Sequence, residues 1–318
     1  MKILVTGGAG FVGSHLCDSL IADGYQVIIF VRDPKKNQNI HHILDKITIE
    51  NVDVTNSTLL EEKILEIKPE IIFHLAGQTS HKQSFENPFY DIDVNAKSTL
   101  TILETLRKSK LHCKFILGST FVVIGKPESL PVDENSSCNP TSIYGANRLT
   151  SEHYCKIFNE LYGIDTNIFR ITNSFGPREQ YLTSTKNALN FLIYNAFKGK
   201  EITIYNKGKF FRDVIFIDDV ISGLNTIMKY GKFGNSYWIS SNTKTWFSEI
   251  GKILEENTSG IVNYGPSTDY NKKVDVGNFL VDNSKLKSLG WNPNVSVKDG
   301  IIKTLEYFSK KEISTNKS

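Results

Sequence analysis

The stretch SIYGANRLTSEHY (residues 142–154) contains residue types from which a proton-transfer site can be built. Tyr144 is followed four positions later by Arg148, and residues at this spacing lie on the same face of a helix. A tyrosine hydroxyl titrates at about pH 10, so it acts as a base near neutrality only where a fixed cation stabilises the phenolate. We predict that Tyr144 and Arg148 form a catalytic pair. The alternative is a surface ion pair between Arg148 and Glu152, one turn further along.

A glycine-rich turn directly after the first apolar run, KILVT, predicts a dinucleotide site. Glycines recur at every third position in this turn, and a helical pattern follows at once. They let backbone N–H groups approach a pyrophosphate at a helix N-terminus, where the helix dipole favours an anion. A tight packing turn is the alternative, but the position between a strand and a helix favours a cofactor loop. The residues assigned to cofactor binding are Gly7, Gly10, Phe11, Val12 and Gly13.

The end of the second apolar run carries charges of both signs, which bears on the choice between NAD and NADP. An acidic residue there would bond a ribose hydroxyl of NAD, whereas an arginine would accept the extra phosphate of NADP. Asp33 fits the first role, and Arg32, with Lys35 and Lys36 behind it, fits the second. Both cofactors stay possible, and Arg32 favours NADP. An exposed charged loop without a ligand is the alternative interpretation.

The elements that must position these residues follow a repeated strand and helix pattern. Short apolar runs alternate with amphipathic segments through residues 1–173, which predicts an α/β fold with a Rossmann-type, doubly wound parallel sheet. We predict that this part is the NAD(P)-binding domain and that residues 174–318 form a smaller, interleaved substrate domain. A segment near residues 212–228 is expected to return to the first domain. The polar tail, residues 309–318, is expected to be disordered.

Composition and charge exclude several function classes. The 318 residues include 37 Lys and Arg and 34 Asp and Glu, a net charge of +3, and no basic run is interleaved with aromatics, so nucleic acid is not an expected partner. No apolar run approaches the roughly 18 residues of a spanning helix, and the opening residues do not form a signal peptide pattern. We therefore predict a cytoplasmic protein without a membrane partner. No metal site is expected, because Asp218 and Asp219 are better explained as helix N-terminal residues.

Taken in order, the motifs resemble those of the extended short-chain dehydrogenase/reductases, in the nucleotide-sugar epimerase and dehydratase branch. The resemblance covers nearly the whole chain and rests on the glycine-rich loop, HLAGQ (74–78), ENP (86–88), Tyr144-x-x-x-Arg148, NSFGPR (173–178) and RDVIFIDDV (212–220). It implies that Tyr144 is the catalytic base. The family carries a lysine where this chain has Arg148. An arginine keeps the positive charge, but its planar guanidinium changes the geometry.

The resemblance also implies roles for residues outside this pair. It implies that Thr120, five residues before Gly125, shares the C4 hydroxyl of the substrate with the tyrosine, and that Ser119 is its substitute. It puts Asn173 and Arg212 near the substrate diphosphate, where a guanidinium pairs with phosphate oxygens. An ion pair of Arg212 within its own domain is the alternative. Further cofactor contacts are implied at Asp53, Val54, Leu75, Ala76 and Gly77.

The residues after Thr120 narrow the expected reaction. Dehydratases of the family carry Asp-Glu there, and decarboxylases carry a glutamate at the second position, whereas this chain has Phe121 and Val122. Without that acid and base, we expect an NAD(P)-dependent epimerase that reversibly oxidises C4 of a nucleoside-diphosphate sugar. An NADPH-dependent 4-keto-sugar reductase is the alternative; a 4,6-dehydratase and a non-catalytic dinucleotide-binding protein are less expected. The resemblance also implies a homodimer through the helices that start near Asn95 and Tyr144.

Overall fold

The computed structural model describes residues 1–35, 37–183, 188–266 and 276–315. Lys36, one of the charges behind Arg32, lies outside the described residues. The strands are β1 (Lys2–Thr6), β2 (Gln26–Val31), β3 (Thr48–Asn51), β4 (Ile71–His74), β5 (Lys114–Thr120), β6 (Thr166–Ile171), β7 (Asn173–Phe175), β8 (Glu201–Tyr205), β9 (Phe211–Phe216), β10 (Asn235–Ile239), β11 (Lys244–Trp246) and β12 (Ile261–Gly265). The helices are α1 (Phe11–Ala22), α2 (Ser57–Ile67), α3 (His81–Glu86), α4 (Pro88–Ile92), α5 (Ser98–Ser109), α6 (Ile143–Tyr162), α7 (Ala188–Phe197), α8 (Ile217–Tyr230), α9 (Phe247–Asn257), α10 (Ser284–Lys287) and α11 (Val297–Thr315), and a π-helical turn (Asp93–Lys97) joins α4 to α5.

Seven parallel strands form the main sheet, in the order β10-β6-β5-β4-β1-β2-β3. Helices cover both faces, which explains why every residue of a strand such as β4 is buried. The strand order reverses beside β1, which lies between β2 and β4. In such a sheet the ligand crevice lies outside the carboxyl ends of the strands at this point. The predicted α/β fold with a Rossmann-type sheet is confirmed.

The second half of the chain forms two small sheets, β11-β9-β7 and β12-β8, and also returns to the main sheet. α8 overlaps the predicted returning segment and packs on α1, where Asn225 Nδ2 donates to Ser19 Oγ at 2.8 Å. β10 extends the main sheet beside β6, which the sequence analysis did not predict. The division at residue 173 stays a prediction. No described helix combines the length and the apolar character needed to cross a bilayer.

The C-terminal helix corrects one prediction, since α11 runs to Thr315 through most of the tail that was expected to be disordered. Phe308 is buried against the rings of Tyr181 and Tyr194, and Lys311 Nζ donates to Tyr181 Oη at 3.1 Å. The polar composition was misleading because the aromatic residues just before the tail anchor the helix. Residues 316–318 lie outside the described part of the chain.

Candidate functional site

The glycine-rich loop joins β1 to α1 at the centre of the crevice. Gly7 has a φ of 71°, and a Cβ on it would come within 2.8 Å of the backbone nitrogen of Ala76. A Cβ on Gly13 would overlap the carbonyl oxygen of Gly7. α1 starts at Phe11 with no side-chain cap and no acidic residue in its first turn, so its first N–H groups are available to an anion. The loop therefore fits a pyrophosphate.

A buried chain of hydrogen bonds shapes the loop that follows β4, which contains the predicted cofactor residues 75–77. His74 Nδ1 bonds Thr6 Oγ1 at 2.8 Å, and its Nε2 bonds Ser98 Oγ at 3.0 Å. Burial, together with the charge of Arg148, lowers the pKa of His74 to about 3, so the ring is neutral. Ala76 N donates to the same Thr6 Oγ1 at 3.1 Å. These bonds hold the loop against the glycine-rich turn.

Three predicted cofactor residues follow β2 and β3 at the outer end of the crevice. Arg32 is exposed, and its Nη1 donates to the hydroxyl of Tyr90 in α4. Asp53 Oδ1 accepts from the backbone nitrogen and the hydroxyl of Thr55, at 3.0 and 2.9 Å, and so turns the chain toward α2. Val54 is buried. The carboxylate of Asp53 thus serves a local turn, whereas Arg32 reaches across the rim of the crevice.

α6 buries the proposed catalytic pair one helical turn apart. Its N-terminus is set by Ser142, whose hydroxyl oxygen accepts from Gly145 N at 3.1 Å. Tyr144 is 6 % exposed and Arg148 is 4 % exposed. Arg148 Nη2 donates to the carbonyl oxygen of Ala76 at 3.3 Å, while its Nε and Nη1 are buried without a partner. A guanidinium with two unsatisfied donors beside this loop fits the hydroxyls of a cofactor ribose.

The alternative role for Arg148, a surface ion pair with Glu152, is wrong. Both side chains are buried, and Glu152 Oε2 instead pairs with Arg170 Nη2 at 2.7 Å. Ser119 Oγ donates to Glu152 Oε1 at 2.5 Å. The hydroxyl of Ser119 is therefore committed to this pair. The neighbouring Thr120 is half-buried at the end of β5, and within the described part of the chain its hydroxyl oxygen accepts from Val122 N at 3.3 Å and the hydroxyl donates to no group. Its hydrogen can therefore be donated to a substrate.

Asn173 and Arg212 lie on neighbouring strands of a small sheet. Asn173 pairs with Val214, so Arg212, two residues before Val214, lies on the same face. The Oδ1 atom of Asn173 is buried without a hydrogen-bond partner. The guanidinium of Arg212 lies 5.1 Å from the ring centroid of Phe210, and its Nη1 donates to the carbonyl oxygen of Phe211 at 3.1 Å. This face combines a guanidinium, which pairs with phosphate oxygens, and an amide whose nitrogen is a further donor.

The two acidic residues at the start of α8 have structural partners. Asp219 accepts from the backbone nitrogens of Asn294 and Val295, each at 2.9 Å. Asp218 pairs with Lys303 at 3.2 Å. Among the described residues, no group of three or more His, Cys, Asp or Glu side chains could hold a metal ion.

The crevice thus combines a phosphate loop, a buried tyrosine and arginine pair, and a threonine hydroxyl at the end of β5. Residues 4–304 match the family model described as GDP-mannose 4,6 dehydratase. The chain belongs to this family. As predicted, it is a member of the extended short-chain dehydrogenase/reductases, in the branch of nucleotide-sugar epimerases and dehydratases.

Three similar proteins extend along the whole of this family member. A relative from Methanocaldococcus jannaschii, described provisionally as a UDP-glucose 4-epimerase, is 33 % identical over 96 % of this chain and 97 % of its own. The structure of UDP-glucose 4-epimerase from Thermotoga maritima with UDP-glucose is 30 % identical, with a TM-score of 0.90 over 98 % of this chain and 100 % of the other. UDP-glucuronic acid 4-epimerase from Bacillus cereus, in complex with UDP-glucuronic acid and NAD, is 29 % identical, with a TM-score of 0.85 over the same shares.

In this dehydrogenase/reductase the structure also brings to the candidate site residues that the sequence analysis did not assign to it. Asp91 in α4 is fully buried and accepts from Gln78 Nε2 and Asn147 Nδ2, each at 2.7 Å. The ring of His81 lies edge-on to that of Tyr144, at 5.9 Å between centroids. Gln78 and Asn147 stand within the motifs HLAGQ and Tyr-x-x-x-Arg, which was the available signal. Nothing local marks Asp91, because its partners are distant in sequence.

Proposed function

We propose that the protein is an NAD(P)-dependent nucleotide-sugar epimerase that reversibly oxidises C4 of a nucleoside-diphosphate sugar. The observation that carries this conclusion is the buried pair of Tyr144 and Arg148 beside the loop after β4, which in turn packs against the glycine-rich loop. The predicted enzyme class is confirmed by whole-length similarity to proteins described as nucleotide-sugar 4-epimerases.

In this proposal the protein's own groups handle the proton. When bound, the nicotinamide supplies the acceptor and donor of the hydride. Tyr144 removes the proton of the C4 hydroxyl and later returns it, because the buried cation of Arg148 stabilises the phenolate. Thr120 donates a hydrogen bond to the same substrate oxygen. Phe121 and Val122 provide no acid or base for loss of water, which supports epimerisation over 4,6-dehydration.

Arg32 supports NADP as the cofactor, with NAD as the alternative. Its exposed guanidinium at the rim of the crevice, beside the hydroxyl of Tyr90, has the chemistry to accept a ribose phosphate. The similar enzyme from Bacillus cereus carries NAD. Arg32→Ala should therefore weaken binding of NADPH far more than binding of NADH. Equal weakening, or none, would favour NAD.

An exposed apolar surface supports a homodimer. We define the helix surface as four exposed aliphatic or phenyl side chains on α4 and α6: Phe89 (79 % exposed), Ile92 (42 %), Ile157 (45 %) and Leu161 (70 %). α4 and α6 are in contact, because Asn147 Nδ2 of α6 donates to Asp91 Oδ1 of α4 at 2.7 Å. α6 also contacts the π-helical turn that continues α4, since Ser151 Oγ donates to the carbonyl oxygen of Asn95 at 2.5 Å. Exposed apolar groups on paired helices favour an isologous contact with a second copy.

The proposed function is tested by cofactor identification and substrate turnover together. The purified protein is denatured, the released dinucleotide is identified by mass spectrometry, and the native protein is assayed on a panel of sugar nucleotides with and without NADPH. We expect C4 inversion without net consumption of NADPH, lost in Tyr144→Phe while the dinucleotide stays bound. Consumption of NADPH with 4-keto sugars alone would identify a reductase. Bound dinucleotide without any turnover would identify a binding protein.

A further inference from the structure

Asp91 is a buried carboxylate that forms no ion pair with any described residue. It is 0 % exposed, and its partners are two neutral amides, with Gln78 Nε2 on Oδ2 and Asn147 Nδ2 on Oδ1, each at 2.7 Å. Burial of a charge costs free energy, which neutral donors offset less completely than a cation does. An apolar residue at this position of α4 would avoid that cost. The presence of a carboxylate therefore needs a functional explanation.

The two amides that Asp91 binds belong to the two segments that form the proposed site, the loop after β4 and helix α6. Gln78 directly follows Gly77 in the loop after β4, and its backbone nitrogen donates to Asn95 Oδ1 at 3.2 Å. Asn147 directly precedes Arg148 in α6. The carboxylate therefore bridges the loop to the catalytic helix. No other side chain among the described residues bonds both Gln78 and Asn147.

The distance between this loop and α6 determines whether Arg148 fits. Arg148 Nη2 donates to the carbonyl oxygen of Ala76 at 3.3 Å. A Cβ on Gly77 would overlap that nitrogen, so the guanidinium already lies in direct contact with the loop. If the loop or the helix shifted by an ångström, Arg148 would lose either this bond or its position beside Tyr144.

We propose that Asp91 is a positioning residue, whose carboxylate holds the amides of Gln78 and Asn147 and thereby sets the spacing between the cofactor loop and the Tyr144–Arg148 pair. The inference rests on the proposed function for its effect on turnover. Its effect on dinucleotide binding does not depend on which sugar is the substrate. Asp91 itself contacts neither group of the pair, so it acts through Asn147 and Gln78.

The test compares Asp91→Asn with the double exchange Asp91→Asn/Asn147→Asp. The single change removes the charge, so the bonds to Gln78 and to Asn147, whose amide turns over to accept, become neutral and weaker ones. In the exchange, the new amide at position 91 donates to the new carboxylate at position 147 and still accepts from Gln78, so both bonds are restored. We expect the single variant to lose about 10–100-fold in kcat with KM changed less than about threefold, as for a small misplacement of catalytic groups. NADH affinity, measured by fluorescence, should fall several-fold, and the exchange should recover most of both losses.

Asp219→Asn is the matched control, since Asp219 is also buried and accepts two hydrogen bonds, from Asn294 and Val295, but lies in α8. It should lower the melting temperature without changing kcat or NADH affinity. Wild-type kcat in Asp91→Asn would overturn the proposal, and so would an exchange variant that folds yet stays as impaired as the single variant. If the wild type shows no epimerase turnover but the NADH affinities follow the expected pattern, the proposed function fails and the role of Asp91 stands.

Discussion

Arg148 stands where the family carries a lysine, and its surroundings explain how the larger group fits. The loop that it contacts has no side chain at Gly77, which leaves room for a guanidinium. One of its nitrogens bonds Ala76 and two donors remain unsatisfied. The arginine therefore keeps the positive charge one helical turn from Tyr144, and in the proposed function its two remaining donors bind the ribose diol of the cofactor.

Substitutions of Arg148 should separate charge from shape. Arg148→Lys should keep kcat within about tenfold of the wild type, because the cation persists. Arg148→Met should lower kcat by about 100-fold or more, because nothing then stabilises the phenolate. The measurement is steady-state turnover with NADH affinity determined in parallel. Equal losses in the two variants would show that the guanidinium geometry, not the charge, is what matters.

The buried carboxyl group of Asp213 makes the free energy of unfolding depend on pH. Burial raises its pKa to about 6 from the ordinary 3.8, against the hydrogen bonds from Ser241 and Val281. Because the folded state holds the proton more tightly, this group favours folding fully below about pH 4, and that contribution is lost as pH rises through about 6. In Asp213→Asn the change in unfolding free energy between pH 4 and pH 7 should differ from that of the wild type by up to about 3 kcal/mol. Parallel pH profiles in urea titrations would contradict this.

At the scale of elements, a buried ion pair joins α6 to the main sheet. Glu152 of α6 bonds Arg170 of β6 and Ser119 of β5, and the guanidinium of Arg170 lies 5.4 Å from the ring of Trp238 in β10. The ion pair thus connects α6 to three neighbouring strands. Because Ser119 directly precedes Thr120, this contact also holds the end of β5 that carries Thr120.

Removing one partner of this pair should destabilise the fold more than removing both. Glu152→Gln should lower the free energy of unfolding by about 3–5 kcal/mol, because Arg170 is left as an uncompensated buried charge. Glu152→Gln combined with Arg170→Met should cost less than that. Urea denaturation of the two variants measures the difference. A double variant at least as unstable as the single one would show that the ion pair itself adds to the free energy of unfolding, beyond neutralising the buried charge of Arg170.

Two glycines distinguish a functional contact from a structural one. In Gly77→Ala the new Cβ meets the flexible end of Arg148, so the melting temperature should hardly change while turnover falls. In Gly125→Ala the Cβ meets the backbone oxygen of Asn139 and the residue has a φ of 68°. Strain of this kind costs about 1–3 kcal/mol, so here stability should fall. Thermal melts and activity measurements on the two variants check both expectations. A Gly77→Ala variant with a lowered melting temperature and unchanged turnover would show that the contact of Gly77 with Arg148 is structural.

At the scale of the whole molecule, the helix surface should control assembly. Leu161→Glu puts a charge on a side chain that is 70 % exposed, so the fold should be unaffected. We expect it to convert a dimer into a monomer in light scattering, because a buried interface would then contain two unpaired charges. Tyr230→Glu, at a residue 64 % exposed at the end of α8, is the control and should leave the dimer intact. A Leu161→Glu dimer would rule out this surface.

Much of the fold and of the candidate site follows from local patterns. The glycine spacing after KILVT predicted a tight turn between a strand and a helix, and the four-residue interval between Tyr144 and Arg148 predicted two side chains on one helix face. Both features depend on backbone geometry within one loop or one helix, so the sequence alone was sufficient. The Rossmann-type sheet, the family and the enzyme class were likewise predicted and are confirmed. The tail was predicted wrongly, because polar composition does not reveal that Phe308 packs on aromatic residues from another helix.

The amino-acid sequence by itself determined the alternation of strands and helices in the first half of the chain and which side chains are available for chemistry, since periodicity and turn residues act over a few positions. Only the tertiary structure decided that Glu152 pairs with Arg170 instead of Arg148, that β10 joins the main sheet, and that Asp91 bonds both Gln78 after β4 and Asn147 of α6. These choices depend on burial. A buried charge or amide must find its partner wherever the packed chain brings one, and sequence distance carries no information about that.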